Sequence, residues 1–290
     1  MKLANQWIDY ECIDASCGEK YERWGKYFLL RPDPQVVWDN GDLKEKYRGK
    51  IDAIYHRSNK GGGSWETIRN LPSSWMIEYQ SLKFHIKQMG FKHTGLFPEQ
   101  AVNWDFMIQK IKNSKREVKV LNLFAYTGGA TVACLSAGAH VTHVDSSRGM
   151  VDWCKENVAS SGYQGDKIRY IVDDVIKFVQ REIRRGNKYD AIIMDPPSYG
   201  RGANGEVWDI EKSLNYLVTI CMELLSDEPL FFLINSYTTG MSSMVLENLL
   251  KMTIPKSLGG KITSGEVGLP ITENQLVLPC GIYGRWECDE

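Results

Sequence analysis

Four short segments carry residue types placed for chemistry: Phe124-Ala125-Tyr126-Thr127-Gly128-Gly129, Asp145-Ser146-Ser147, Asp173-Asp174-Val175 and Asp195-Pro196-Pro197-Ser198-Tyr199. Gly128 and Gly129 let the backbone turn sharply and meet a ligand with no Cβ in the way. The helix that should begin there offers free N–H groups to a carboxylate. Asp145 lies 23 positions after Asn122, where a carboxylate can accept both hydroxyls of a ribose, and Asp174 would take an adenine amino group. Two prolines after Asp195 fix the backbone and lack N–H donors, so the carboxylate and nearby carbonyls can accept from a substrate amine or ring nitrogen. Tyr199 supplies a surface on which a flipped base could stack. Taken singly, the glycine pair is an ordinary strand–helix turn, either acid a solvated helix cap and the prolines a rigid strand end. Agreement among four successive segments favours the ligand reading.

The surrounding elements should project all four from one edge. Short apolar runs over 118–124, 141–145, 168–173, 189–194 and 230–234 read as strands buried on both faces. Between them lie helical stretches. Thr127 stands at an N-cap position, with Gly138 as the stop. Ser146 or Ser147 can cap a helix with Met150, Val151, Cys154 and Val158 on one face. Further amphipathic faces are Ile176, Phe178, Val179, Ile183 and Leu214, Leu217, Val218, Cys221, Leu225, and a last helix is expected over about 242–252. This alternation predicts an α/β fold with a doubly wound parallel sheet, whose ligands bind outside the carboxyl ends of the strands. Runs over 261–267 and 275–283 suit an antiparallel pair closing one side. Upstream, 27–31 and the alternating segments 75–83 and 83–91 suggest small β structure, interrupted by Pro32, Pro34 and Gly61-Gly62-Gly63. The expected organisation is a small β-rich N-terminal domain over 1–65, a connecting β and lid segment over 66–115, and the main domain over 116–290.

Composition sets bounds. A chain of 290 residues can bury one large core and a small accessory one. With 35 basic and 36 acidic residues, the net charge of -1 argues neither for nor against nucleic acid. Seven cysteines form no metal-spaced cluster, and His85, His93, His140 and His143 have no metal spacing, so no metal is expected. An odd cysteine count without a leader-like opening segment points to reduced thiols in the cytoplasm. No apolar run reaches the roughly 20 residues of a membrane span.

From about residue 90 onward, Gly95-Leu96-Phe97-Pro98-Glu99-Gln100, Asn122-Leu123-Phe124-Ala125-Tyr126-Thr127-Gly128, Val144-Asp145-Ser146-Ser147, Asp173-Asp174-Val175 and Asp195-Pro196-Pro197-Ser198-Tyr199 resemble the class I S-adenosylmethionine (SAM) methyltransferases. Among these the chain is most similar to the large-subunit ribosomal RNA enzymes that modify cytosine C5 and guanine N7. The resemblance implies a Rossmann-like seven-stranded SAM methyltransferase sheet. It implies SAM as cofactor, held by 124–129, Asp145, Ser146, Ser147, Asp173, Asp174, Val175 and Asp195. It also implies catalytic roles for Asp195, Pro196, Pro197 and Tyr199. Phe97, Pro98 and Gln100, with Asn103-Trp104, form either a lid over the cofactor or a plain packing segment, and Asn235 joins the substrate side. The N-terminal 60 residues do not match the RNA-binding module of that group.

One departure bears on the acceptor. Cytosine C5 enzymes first add a Cys thiolate to C6, and in the similar enzymes that Cys follows the fifth strand. Here the segment is Asn235-Ser236-Tyr237-Thr238-Thr239, and Cys280 lies on a different element, where a buried structural thiol is expected. The expected reaction is methyl transfer to a nitrogen, with a base of ribosomal RNA as acceptor. The alternatives are a small-molecule methyltransferase and a SAM- or RNA-binding protein without turnover. A nicotinamide dehydrogenase lacks support, because G-x-G-x-x-G is incomplete.

Overall fold

The computed structural model describes residues 1–58, 62–202 and 205–289. Gly61, part of the expected glycine break, lies outside them. The chain forms two compact units, one of Lys2–Val102 with Val267–Cys280 and one of Asn103–Glu266 with Gly281–Glu290.

In the first unit β1 (Lys2–Leu3) is followed by β2 (Tyr10–Ser16), β3 (Glu19–Trp24), β4 (Tyr27–Pro32), helix α1 (Leu43–Lys46), β5 (Ala53–Arg57) and β6 (Gly63–Thr67). Strands β2 to β6 make one five-stranded sheet in sequence order. A hairpin of β7 (Trp75–Tyr79) and β8 (Leu82–Ile86) follows. Its alternating side chains bury Trp75, Ile77, Tyr79, Leu82, Phe84 and Ile86. Trp75 donates Nε1–H to the Trp24 carbonyl at 3.1 Å, and Tyr79 meets Trp7 with ring centroids 4.7 Å apart. These aromatic contacts place the hairpin in the N-terminal unit, which runs on to Val102. Buried Glu22 accepts from Arg31 Nε at 2.6 Å and from the Tyr10 hydroxyl at 2.7 Å. That pairing outweighs the burial that opposes its charge, and holds its pKa at about 2.

The second unit begins with helix α2 (Ala101–Ser114), which carries Trp104, Met107 and Ile111 on its buried face. Its apolar period was readable within the segment expected to be connecting β structure. Then come β9 (Lys119–Leu123), α3 (Gly129–Ser136), β10 (His140–Asp145), α4 (Arg148–Ser160), β11 (Ile168–Val172), α5 (Val175–Arg184) and β12 (Ala191–Met194). A short ribbon of β13 (Tyr199–Arg201) and β14 (Val207–Asp209) precedes α6 (Ile210–Cys221), β15 (Phe231–Ser236) and α7 (Ser243–Thr253). β16 (Lys261–Pro270) and β17 (Val277–Glu287) close the chain. The sheet order is β16-β17-β15-β12-β9-β10-β11, the expected seven strands. Within the N-terminal unit, Val267 and Gly268 at the end of β16 add β1 in parallel as an eighth.

β9, β10, β11, β12 and β15 pair in parallel, and β17 runs antiparallel to β15. Every residue of β12 and β15 is buried, as a sheet covered on both faces requires. Leu121, Ile192, Phe232 and Ile234 from the strands join Phe178 and Val179 of α5 and Leu217 and Val218 of α6 in one core. Truncating one of these side chains should cost about 2–5 kcal/mol. No described helix is long and apolar enough to cross a membrane.

Glu182 of α5 is fully buried, yet it ties the amino end of the sheet together. It accepts from the Tyr189 hydroxyl at 2.6 Å, Asn187 Nδ2 at 2.8 Å, Arg185 at 2.9 Å and Arg169 at 3.2 Å. Burial favours the protonated carboxyl, but these donors outweigh it and hold the pKa at about 2. A depressed carboxyl contributes stability above its unfolded value of about 4.3, and loses it as pH falls toward the folded one. Glu182→Gln should therefore cost about 3 kcal/mol in urea unfolding at neutral pH. The difference from the parent should shrink progressively below the unfolded value. An equal cost at neutral and strongly acidic pH would show that the charge is not what the site uses.

Candidate active site

The parallel registers align Leu123 with Val144 and Met194, Asp145 with Val172, and Met194 with Ile234. The turns after β9, β10, β11, β12 and β15 therefore share one edge, as expected. Asp145 joins two of them. Its Oδ2 accepts from the Tyr126 amide at 2.9 Å and its Oδ1 from the Ser147 amide at 2.8 Å. Burial pushes this carboxyl above the ordinary Asp range, and the two amides offset part of that rise. Both oxygens retain lone pairs for further donors.

The turn after β9 is more contorted than its sequence suggests. Phe124 and Tyr126 have φ of 53° and 52°, left-handed values rare for aromatic residues, and Gly128 has φ of 86°. Each such non-glycine residue costs of order 1–3 kcal/mol and persists only where its surroundings over-determine it. Gly128, not Thr127, is the N-cap of α3, and it has no side chain to cap the first amides. Thr127 is buried, and its carbonyl accepts from Asn157 Nδ2 at 2.9 Å. The uncapped start of α3 suits the carboxylate of a bound amino-acid group. A Cβ on Gly129 would stand 2.8 Å from Trp104 Cζ2, so Trp104 packs beneath the turn.

The remaining acids are more committed to the protein. Asp174 caps α5, accepting from the Lys177 amide at 2.9 Å, and Val175 opens the helix beneath it. Asp173 pairs with Arg181 and accepts from the Asp174 amide. Ser147 is the N-cap of α4 by backbone geometry but makes no side-chain cap bond, its own amide going to Asp145 Oδ1, and Ser146 and Ser147 are exposed.

Beyond β12, the Asp195 amide donates to the Leu123 carbonyl at 3.4 Å and Pro196 is buried. The Pro197 and Ser198 carbonyls, expected as acceptors for substrate, are taken by Trp208 Nε1 at 2.6 Å and the Ile210 amide at 3.0 Å. Trp208 also meets Phe124 with centroids 4.7 Å apart, linking the two turns. Tyr199 is 55% exposed on β13, and its hydroxyl accepts from Arg201 Nε at 3.3 Å. Ser198 Oγ and Thr238 Oγ1 lie 2.8 Å apart, which brings in the segment after β15. Asn235 at the end of β15 is buried and accepts from Asn103 Nδ2 at 3.0 Å. Asn103 and Trp104, read as lid or packing, here pack against Asn235 and the Gly129 turn, whereas Trp208 was not singled out and carried only the signal of an aromatic residue near a motif.

Phe97, Pro98 and Gln100 belong to the N-terminal unit, at a 3-10 turn spanning Pro98–Gln100. There the Pro98 carbonyl accepts from Trp7 Nε1 at 2.9 Å, Phe97 meets His93, and Gln100 is buried. No cluster of three or more possible metal ligands occurs among the described residues. Burial pushes the thiols of Cys12, Cys134, Cys154, Cys221 and Cys280 up, so none of these five is a ready nucleophile.

Comparison with known proteins gives this geometry its class. Residues 19–251 match the S-adenosylmethionine-dependent methyltransferase family model, and the chain belongs to that family. A SAM-dependent methyltransferase from Agrobacterium tumefaciens is 35% identical with a TM-score of 0.92, over 97% of this chain and 91% of that one. Ribosomal RNA large subunit methyltransferase K/L of Shewanella frigidimarina is 31% identical over 169 residues, 58% of this chain and 23% of that protein. The large subunit methyltransferase K of Neisseria meningitidis serogroup B is 26% identical over 234 residues, 80% of this chain and 62% of its own length. The chain thus spans less than two thirds of either ribosomal RNA relative. It is a SAM-dependent methyltransferase with the expected Rossmann-like fold.

The glycine turn generates a direct test. A Cβ on Gly128 would collide with Cys154 Sγ, on a backbone already at a φ of 86°. Gly128→Ala should destabilise the fold by about 1–3 kcal/mol and weaken S-adenosylhomocysteine binding measured by calorimetry. Unchanged binding would mean that the turn does not touch the cofactor.

Proposed function

We propose that this enzyme methylates a nitrogen of an RNA base, in the cytoplasm, with the strand-end turns as its cofactor and acceptor site. The observation that carries the nitrogen reading is the segment Asn235-Ser236-Tyr237-Thr238-Thr239, which puts no thiol after β15. The RNA reading is supported by the names of the ribosomal RNA relatives. Tyr199, exposed beside Asp195-Pro196-Pro197, supports it too, since it offers a base a stacking face.

In this reading the amides opening α3 at Gly128 and Gly129 hold the methionine carboxylate, and Asp145 accepts from the ribose hydroxyls. Phe124, Ala125, Tyr126 and Thr127 wall the site. Ser146, Ser147, Asp173, Asp174 and Val175 frame the base, with Asp174 using its second oxygen for the adenine amine. When bound, SAM supplies an electrophilic methyl on a sulfonium. Asp195 and the rigid Pro196-Pro197 turn orient the acceptor lone pair in line, and Asp195 takes the displaced proton directly or through water. Asn235 completes the substrate side within the same unit. No thiolate participates.

Asp145→Ala should lower SAM and S-adenosylhomocysteine affinity by about 2–3 kcal/mol through loss of charge-assisted bonds. Asp195→Asn should keep affinity within a few fold and cut turnover by roughly 10²-fold or more. The reverse pattern would exchange their roles. The acceptor itself is found by mass spectrometry of ribosomal RNA nucleosides from a strain lacking the gene, where one methylated base should vanish.

RNA carrying 5-fluorocytidine separates nitrogen from carbon chemistry. With transfer to the unmodified RNA first shown, no adduct should survive a denaturing gel. An adduct lost on replacing one cysteine, with Cys280 tested first, would restore cytosine C5.

A further inference from the structure

The strained turn after β9 needs a support that its own sequence does not contain. Beneath it lies a buried polar chain. Asn122 Nδ2 donates to Thr131 Oγ1 at 3.0 Å, and Thr131 Oγ1 lies 2.9 Å from His143 Nδ1. Cys154 Sγ stands 3.4 Å from the same nitrogen and touches the floor of Gly128, where a Cβ has no room. Asn122, Thr131, His143 and Cys154 are all buried.

The pattern suits one tautomer of the ring. With Asn122 donating to its oxygen, the Thr131 hydroxyl can turn its own hydrogen toward Nδ1, and the Cys154 S–H can do the same. Nδ1 is thus the acceptor and Nε2 carries the hydrogen, a tautomer assigned from the hydrogen-bond network. Nε2 has no full hydrogen-bond partner, although the ring meets the Tyr126 backbone. Burial keeps this imidazole neutral, lowering its pKa to about 3, with the Tyr126 contact acting weakly the other way.

We infer that His143 is a positioning residue for the cofactor turn. It acts through Thr131 and Cys154 on the start of α3. One ring thereby meets the two side chains that pack against Gly128. The inference rests on the turn 124–129 being the cofactor loop.

The test uses the full chain and S-adenosylhomocysteine as the probe, with calorimetric affinity and urea stability measured in parallel. His143→Leu fills the space without hydrogen bonds and should weaken binding about tenfold while remaining folded. His143→Asn places an amide near the Nδ1 position and should restore most of that loss. Thr131→Val keeps the shape of Thr131, removes the hydroxyl, and should also weaken binding. It decides the matter if His143→Leu does not fold. Parent-like affinity in folded His143→Leu, or in Thr131→Val when that variant must decide, overturns the positioning role. So does a loss that His143→Asn fails to restore. Parent-like affinity in Asp145→Ala and Gly128→Ala would instead sink the cofactor-loop reading.

Discussion

The carboxylate of Asp145 is where the two most informative turns meet. One oxygen takes the Tyr126 amide and the other the Ser147 amide, so strands β9 and β10 are joined beyond the end of their ladder. A turn with Phe124, Tyr126 and Gly128 all left-handed is unfavourable on its own, and needs fixed partners to persist. Asp145, Asn157 and the His143 chain supply them. Burial pushes the Asp145 carboxyl up in spite of the two amides, so ionising it at this strand end is unfavourable. Its ionised form lowers stability above that pKa, a cost relieved as pH falls through it. A site that maintains an unfavourable charge at a strand end is arranged for ligand chemistry more than for stability.

The second constraint is mechanical. Pro196 and Pro197 set the direction of the chain after β12, and Trp208 fixes it by taking the Pro197 carbonyl and meeting Phe124. The turn after β12 and the turn after β9, the proposed acceptor and cofactor turns, are thus held to each other within one unit. In a reaction that depends on in-line alignment, a small displacement is expensive. The hydrogen bond between Ser198 and Thr238 adds the end of β15 to the same assembly.

The parallel sheet was legible because its strands are short, continuous apolar runs and its acids sit just past them. What failed to show was local geometry set by tertiary partners. Thr127 has cap chemistry, yet the left-handed Gly128 takes the cap and leaves Thr127 buried. Left-handed Phe124 and Tyr126 carry no sequence mark, since glycine is the residue that announces such a conformation. Asp174 turned out to be a helix cap as well as a candidate ligand, two uses that its type cannot distinguish. The three-residue strands β13 and β14 are too short to show a period. His143 carries only a residue type, and its neighbours come from three different elements.

The central claim is that this edge of the sheet binds SAM through Asp145 and the start of α3, with Asp195 at the methyl. A crystal structure of the chain with S-adenosylhomocysteine tests it most directly. The account predicts both ribose hydroxyls on Asp145, the amino-acid carboxylate on the amides opening α3, and the sulfur facing Asp195. A ligand bound away from Asp145, or one whose sulfur points away from Asp195, would contradict it.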